Sequence, residues 1–159
     1  MKLEEIVVRK LSENNLVLAC AESCTGGLIA KRITDVSGSS AVFNCGVVSY
    51  SNEIKQKVLG VRHETLEQFG AVSEQTVREM VNGVLEISGA DIAVSVSGIA
   101  GPNSDNTSKP VGLIFLAVSN GNETVVKRLN NSFSEDIRNS NRTSASDEAL
   151  NMIIEMIGD

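Results

Sequence analysis

The sequence predicts an α/β fold in which helices cover a mixed β-sheet. Strand-like apolar runs alternate with segments of helical periodicity along most of the chain, which indicates strands joined by helices. Near the end, two strand-like runs are joined by Asn120-Gly121-Asn122, a sequence typical of a hairpin between antiparallel strands. Aromatic residues make up only 3% of the chain, so aliphatic side chains must build the core, which favours helices packed closely on a sheet.

Each element in the first part of the chain has a local signal. Apolar residues at helical spacing predict a helix over residues 2–12, which a pair of asparagines ends. Residues 16–21 are a continuous apolar run, which predicts a buried strand. After a glycine-rich turn, residues 25–35 regain the spacing of a helix, and residues 42–50 predict a second strand.

The middle of the chain predicts three helices. Ser51 is a suitable N-cap for a short helix, and residues 64–69 predict another. Ser73 is a suitable N-cap for a longer helix over residues 74–88, in which valine, leucine and methionine recur at helical spacing.

The last part of the chain predicts three strands and a helix. Residues 91–97 predict a buried strand, and residues 98–110 predict a loop. Residues 111–119 and 124–129 are the two arms of the predicted hairpin. Apolar side chains at helical spacing predict a final helix over residues 135–157.

Length and charge limit the classes of function. We expect residues 1–159 to form one domain, since two would each have too small a core. A net charge of −6 argues against a broad nucleic-acid surface, because nonspecific affinity for nucleic acid comes from cationic side chains. The first residues are acidic and amphipathic, unlike a signal peptide, and no apolar run reaches membrane-spanning length. We therefore expect a soluble cytoplasmic protein with neither nucleic-acid nor membrane partners.

The cysteines and histidine do not match a metal site. Cys20, Cys24 and Cys45 have neither the even number of a disulfide framework nor the spacing of zinc ligands, and His63 is the only histidine. An odd number of cysteines indicates reduced thiols. We expect no metal and no cofactor.

The segment from Glu22 to Gly27 is the most informative part of the sequence. A strand that turns sharply into a helix leaves the first N–H groups of that helix unpaired. Ser23 and Cys24 lie at the predicted tip of the turn, where a nucleophile is best exposed. Gly26 permits a close backbone approach to a ligand. This arrangement suits either a bound phosphate or an oxyanion, and an N-cap followed by packing glycines is the structural alternative.

Two further strand ends carry polar residues and glycines, and ligands of open α/β folds bind beyond the carboxyl ends of the strands. These segments are Ser49–Lys55 and Ser97–Pro102. With the first turn, they make a shared site more plausible than any one of them does alone.

The combination resembles the C-terminal domain family of the competence/damage-inducible protein CinA. The matching segments are Ala21-Glu-Ser-Cys-Thr-Gly-Gly27, Tyr50-Ser with Lys55 and Leu59-Gly-Val61, Ser97-Gly-Ile-Ala-Gly-Pro102 and Lys109-Pro-Val-Gly112. The resemblance implies a three-layer α/β/α sandwich with a mixed sheet, commonly a homodimer. Longer members carry an additional N-terminal nucleotide-hydrolase domain, which we do not expect in this chain.

The resemblance also implies an activity. Stand-alone members of the family hydrolyse the carboxamide of nicotinamide mononucleotide, which gives nicotinate mononucleotide and ammonia. The chain departs from the family pattern at 103–108, where a glycine-rich loop is usual, and around Phe133, where the family favours Phe-x-Gly-Asp-Arg. The alternative function is a non-catalytic nucleotide-binding module that regulates partners in competence or DNA-damage responses, or a phosphate-binding scaffold.

Amide hydrolysis requires a nucleophile, a base and donors for the oxyanion. We expect Ser23 to attack the carboxamide carbon while Lys55 takes its proton, with Tyr50 and Ser97 hydrogen-bonded in the same relay; the resemblance points to the same four positions. A lysine serves as base where burial lowers its pKa. The rival nucleophile is Cys24, activated at a helix N-terminus. The alternative for Lys55 is a solvated helix lysine, the commoner outcome for a lysine, which its position just after a strand end and the resemblance outweigh. Without the resemblance, Tyr50 is equally explained as a half-buried strand residue.

The substrate-binding residues are expected on the same loops and on the last helix. Backbone N–H groups of the first turn would stabilise the oxyanion, and arginines of the last helix are candidates for the substrate phosphate. The predicted substrate-binding residues are Thr25, Gly26, Gly27, Gly98, Gly101, Arg138 and Arg142. Lys109 is a weaker phosphate candidate.

Overall fold

The computed structural model describes residues 1–159 as six α-helices and five β-strands, with one short 3₁₀ helix. In chain order the elements are α1 (Leu3–Glu13), β1 (Leu18–Glu22), α2 (Leu28–Thr34), the 3₁₀ helix (Ser39–Ala41), β2 (Phe43–Val48), α3 (Asn52–Leu59), α4 (His63–Phe69), α5 (Glu74–Ser88), β3 (Ile92–Gly98), β4 (Leu113–Ser119), β5 (Thr124–Asn130) and α6 (Ile137–Ile157). No helix combines the length and the apolar character needed to cross a membrane.

The five strands form one mixed sheet, which confirms the predicted fold class. Their order is β2-β1-β3-β4-β5. β1 pairs in parallel with both β2 and β3, whereas β3–β4 and β4–β5 are antiparallel. The three parallel strands therefore end at one edge of the sheet, and the three loops singled out in the sequence follow them there.

Alternating side chains divide the core between the two faces of the sheet. On one face, Leu18 and Cys20 of β1 pack in a large apolar cluster with residues of α1, α2 and α6. On the other face, Ala19 and Ala21 pack with residues of α3 and α5. The small alanine side chains let α5 lie close to the sheet. Helices on both faces complete the three-layer sandwich.

Helix α3 lies against α5 by direct contact between their backbones. A Cβ atom on Gly83 of α5 would lie 1.9 Å from the carbonyl oxygen of Leu59, at the end of α3. No other residue type fits at this position without a shift of one helix. The Gly83 contact therefore fixes how deeply α3 lies in the protein.

Several element boundaries differ from the predicted ones by one to three residues, and two of these differences lie next to the predicted site loops. Helix α2 begins at Leu28, not at residue 25, because Gly26 and Gly27 have positive φ values of 60° and 100° and form a turn instead. Strand β2 ends at Val48, two residues before the predicted end, which leaves Tyr50 beyond the sheet.

Candidate active site

A cavity of about 240 Å³ lies beyond the carboxyl ends of β1, β2 and β3. All three predicted loops contribute to its wall, and so do the 103–105 segment and one residue of α6. Eight predicted or rival site residues line it: Ser23, Cys24, Tyr50, Lys55, Ser97, Gly98, Gly101 and Arg138. The structure thus brings the candidate nucleophiles and the candidate base to one site.

Ser23 and Lys55 form a buried pair in the wall of this cavity. The Lys55 Nζ atom lies 3.0 Å from Ser23 Oγ and donates a second hydrogen bond of 2.7 Å to the Ser49 carbonyl oxygen. Lys55 is only 1% exposed and Ser23 8%. No carboxylate lies within ion-pair distance of this ammonium group. Lys55 is therefore not the solvated helix lysine of the alternative interpretation.

The local sequence explains why this lysine points inward. The Ser51 side chain caps α3 by accepting from the Ile54 N–H, as predicted, and Gly60 ends the helix in the left-handed conformation. Lys55 and Leu59, four residues apart, share the buried face of α3, while Lys57 lies on its exposed face. The backbone contact between Leu59 and Gly83 allows this buried face to pack closely against α5.

Burial changes the proton affinity of Lys55 in the direction that a base requires. Desolvation of the ammonium lowers the pKa of Lys55 from 10.5 to about 8. At pH 7 roughly a tenth of the side chains are then neutral, compared with about 0.03% at the ordinary value. The lowered pKa makes proton transfer from Ser23 to Lys55 feasible near neutral pH.

Cys24 also lines the cavity, but its surroundings disfavour the thiolate. Burial, followed by the nearby charge of Glu22, raises the pKa of Cys24 to about 12. The expected activation at a helix N-terminus does not occur, because α2 begins only at Leu28. The raised pKa of the Cys24 thiol and the lowered pKa of Lys55, which lies next to Ser23, therefore favour Ser23 over Cys24 as the nucleophile.

Glu22 is a buried residue beside Ser23 for which the sequence alone predicts no role. Its buried carboxylate accepts from the Thr25 hydroxyl at 2.6 Å and from the N–H groups of Ile29 and Ala30 at 2.9 and 3.0 Å. These two N–H groups belong to the first turn of α2, and Glu22 accepts from them inside the protein, so they do not face the cavity. A carboxylate four residues before a glycine-rich helix start is the sequence signal that could have indicated it.

The backbone of the Ser23 turn still offers free donors. The Gly26 N–H donates to the Ser23 carbonyl at 3.0 Å, whereas the N–H groups of Cys24 and Thr25 have no acceptor within the protein. The N–H of the residue after the nucleophile is a common oxyanion donor in serine hydrolases of α/β fold. Cys24 lines the cavity, which makes its N–H suitable for this purpose.

Tyr50 and Ser97 differ from the expected relay. The Tyr50 hydroxyl accepts from Arg138 at 2.9 Å, has no hydrogen bond to Ser23 or Lys55, and belongs to a side chain that is 62% exposed. Ser97 is buried in the cavity wall, but its hydroxyl is likewise not bonded to the pair. Both residues face the space that a substrate would fill.

The remaining predicted substrate-binding residues divide into two groups. Arg138 lines the cavity and donates to the Gly101 carbonyl at 2.8 Å. Arg142, one turn later on α6, donates instead to backbone carbonyls of the Ser23 turn and does not line the cavity; neither do Thr25, Gly26 and Gly27.

Lys109 is held away from the cavity by two carbonyl groups. Its Nζ atom donates to the carbonyl oxygens of Phe69 and Val72, each at 2.6 Å. Lys109 therefore joins two loops of the cavity wall. The structure contains no cluster of three or more histidine, cysteine, aspartate or glutamate side chains suited to a metal ion.

Comparisons with known proteins agree on one family. A family model described as the CinA C-terminal domain matches residues 1–157. A CinA-like protein of Chlorobium limicola is 59% identical over 117 residues, which are 74% of this chain and 27% of that protein. A CinA-like protein of Thermotoga neapolitana is 48% identical over 149 residues, which are 94% of this chain and 36% of that protein. The chain thus spans about a third of the length of the curated relatives it matches.

Solved structures show the same architecture. The crystal structure of the competence/damage inducible protein CihA from Agrobacterium tumefaciens superimposes with a TM-score of 0.91 at 40% sequence identity. The match covers 98% of this chain and 96% of that one.

Proposed function

Because this chain belongs to the CinA C-terminal domain family, we propose that it hydrolyses the carboxamide of nicotinamide mononucleotide to nicotinate mononucleotide and ammonia. Ser23 is the nucleophile and Lys55 the base. The observation that carries the proposal is the distance of 3.0 Å between Lys55 Nζ and Ser23 Oγ in a buried wall of the cavity. A protein that only binds nucleotides has no need of a nucleophile paired with a lysine of lowered pKa.

In the acylation step, neutral Lys55 takes the proton of Ser23 as Oγ forms a bond to the carboxamide carbon. The resulting oxyanion accepts a hydrogen bond from the free Cys24 N–H of the Ser23 turn. Protonated Lys55 then gives its proton to the departing nitrogen, and the C–N bond breaks to release ammonia and leave an ester on Ser23.

In the deacylation step, water attacks the ester while Lys55 takes a proton from it. The C–O bond to Ser23 breaks, the proton returns to Oγ, and the carboxylate product leaves. The hydrogen bond from Lys55 to the Ser49 carbonyl does not involve the nucleophile, so it holds Nζ in place through both steps. One water is consumed for each ammonia released.

The charges in the cavity wall suit a nucleotide with a cationic ring. Lys55 and Arg138 provide positive charge for a phosphate or a developing oxyanion, and Asp105 is the only carboxylate among the lining residues. Nicotinamide mononucleotide combines a phosphate with a positively charged pyridinium ring. Asp105 lies in the loop that departs from the family pattern, and it accepts hydrogen bonds from the backbone and hydroxyl of Thr107.

We expect Asp105→Asn to raise the KM for nicotinamide mononucleotide roughly two- to fivefold, the effect of one partly solvated charge pair. The inhibition constant of the reduced nucleotide, whose ring is neutral, should not change. Thr107→Val is the matched control, because it keeps the Asp105 charge and removes only the Thr107 hydroxyl, which donates to Asp105 and accepts from the Lys109 N–H. An equal loss of affinity for both ring forms would contradict a charge interaction with the pyridinium.

The direct test of the proposed function is ammonia release from nicotinamide mononucleotide by the purified protein, measured with and without a chelator. We expect turnover that is unchanged by the chelator, with nicotinate mononucleotide formed in equal amount. A protein that binds the nucleotide but releases no ammonia above background would support the alternative, a regulatory nucleotide-binding module.

A further inference from the structure

Arg142 of α6 contacts the backbone of the turn that carries Ser23. Its Nη2 atom donates to the Thr25 carbonyl at 2.8 Å, and its Nε atom donates to the Cys24 carbonyl at 3.2 Å. Both carbonyls belong to the turn that carries Ser23. The guanidinium is partly buried and lies outside the wall of the cavity, unlike that of Arg138.

These two hydrogen bonds determine the orientation of the peptide groups in the turn. In a trans peptide the C=O and N–H bonds point in opposite directions. A Cys24 carbonyl drawn toward Arg142 therefore turns the Thr25 N–H away from the guanidinium, and that N–H has no acceptor in the protein. The Thr25 carbonyl fixes the Gly26 N–H in the same way, and this N–H holds the Ser23 carbonyl. The Cys24 N–H belongs to the same peptide group as the Ser23 carbonyl, so its direction is fixed as well, and Cys24 lines the cavity whereas Thr25 does not.

The turn is held from its other side by Glu22. The Glu22 carboxylate accepts from the Thr25 hydroxyl at 2.6 Å, while Arg142 binds the Thr25 carbonyl. Gly26 leaves room for the guanidinium, since a Cβ atom there would lie 3.2 Å from Arg142 Nη2. A cation on the carbonyls also polarises the amide groups and strengthens their N–H groups as donors.

We infer that Arg142 is a positioning residue that orients the Cys24 N–H, the oxyanion donor that lines the cavity, through the Thr25 carbonyl and the hydrogen bond from Gly26 to Ser23, and that it does not bind the substrate phosphate. The inference rests on the proposed amide hydrolysis. Arg142 acts on the transition state through the backbone, so its loss should lower kcat rather than raise KM.

The test compares Arg142→Met and Arg142→Lys with wild type on two substrates, nicotinamide mononucleotide and nicotinamide riboside, which lacks the phosphate. Removal of one oxyanion donor costs about 10²–10³-fold in turnover, and a misoriented donor costs less. We expect Arg142→Met to lower kcat about 10- to 100-fold on both substrates with KM changed less than twofold. Arg142→Lys, which keeps one cationic donor, should lose less.

A binding measurement separates positioning from a general loss of structure. Pyridine-3-boronic acid forms a tetrahedral adduct with a catalytic serine, and its affinity should fall in Arg142→Met by the same factor as kcat. The affinity for nicotinate mononucleotide, which forms no adduct, should stay within twofold. Weakened binding of both compounds would overturn the inference in favour of a structural role.

Two other outcomes are distinguishable. A rise in KM confined to the phosphorylated substrate, with kcat unchanged, would make Arg142 a phosphate ligand and overturn the inference alone. A wild-type protein that releases no ammonia from either substrate would overturn the proposed function, and the inference with it.

Discussion

Ser23→Ala is expected to lower turnover of nicotinamide mononucleotide by about 10⁴-fold or more, because removal of a nucleophile from a catalytic unit has effects of this size. The substitution should leave the fold intact. Ser23 Oγ accepts one hydrogen bond, from Lys55, and the rest of the turn is held by Glu22 and Arg142. Initial rates of ammonia release, at protein concentrations high enough to detect a residual rate, measure the loss.

Cys24→Ala is the matched control, since Cys24 is the adjacent residue in the same cavity wall. The raised pKa of its thiol predicts that activity stays within a few-fold of wild type. Mass spectrometry of the quenched reaction should place the acyl group on Ser23. Survival of activity in Ser23→Ala, together with its loss in Cys24→Ala, would show that Cys24 and not Ser23 is the nucleophile.

Lys55→Met should lower kcat by roughly 10²–10⁴-fold, the contribution of a general base. In the wild type, kcat/KM should rise about tenfold per pH unit below pH 8 and level off above it, because the neutral form of Lys55 is the active one and its pKa is about 8. Lys57→Met, two residues along on the exposed face of α3, should leave both the rate and the profile unchanged. A wild-type profile that is flat between pH 6 and pH 9 would contradict the assignment of the base.

The same substitution should change the pH dependence of stability. Between about pH 8 and the ordinary value of 10.5, the unfolded chain holds a proton on Lys55 that the folded protein has lost, so wild-type stability rises with pH across this window. Below pH 8 both states are protonated, and the full cost of burying the charge, about 3 kcal/mol, is present. In Lys55→Met, the neutral methionine side chain carries no cost of burying a charge.

We therefore expect the free energy of unfolding of Lys55→Met, relative to wild type, to decrease by about 3 kcal/mol between pH 7 and pH 10.5. The lost hydrogen bond to the Ser49 carbonyl lowers the stability of the variant at both pH values and cancels in the difference. Urea unfolding of wild type, Lys55→Met and Lys57→Met at the two pH values measures this quantity. An equal stability difference at both would show that the Lys55 charge is not destabilised by burial.

The fold was predictable because its elements carry local signals. Helix α5 begins after Ser73 and ends at Ser88, as its cap and its apolar spacing predict. The hairpin of β4 and β5 follows from the turn sequence between them. The predicted boundaries were wrong where backbone conformation, and not apolar spacing, determines the start of an element. In the turn before α2, positive φ values at two glycines place the start of the helix later than the apolar spacing predicts.

The sequence predicted most of the residues that line the site, but it did not predict the contacts between them. Strand ends indicate which loops meet, whereas the burial of Lys55 depends on α5, which begins 19 residues further along the chain, at Glu74. Arg138 and Arg142 share a helix and a residue type, yet one lines the cavity and the other binds the backbone of the turn. Sequence spacing places both near the site but does not determine which carbonyl or hydroxyl each one reaches.

The backbone contact between Leu59 and Gly83 has a consequence for directed evolution of this protein. The depth of α3 is set at Leu59, on the same buried face of the helix as Lys55, by a glycine of α5 that does not line the cavity and has no side chain to offer a ligand. Libraries restricted to cavity-lining codons would leave this determinant of base strength untouched. Selection for activity at a different pH is therefore expected to enrich substitutions in the α3–α5 contact as well as around Ser23.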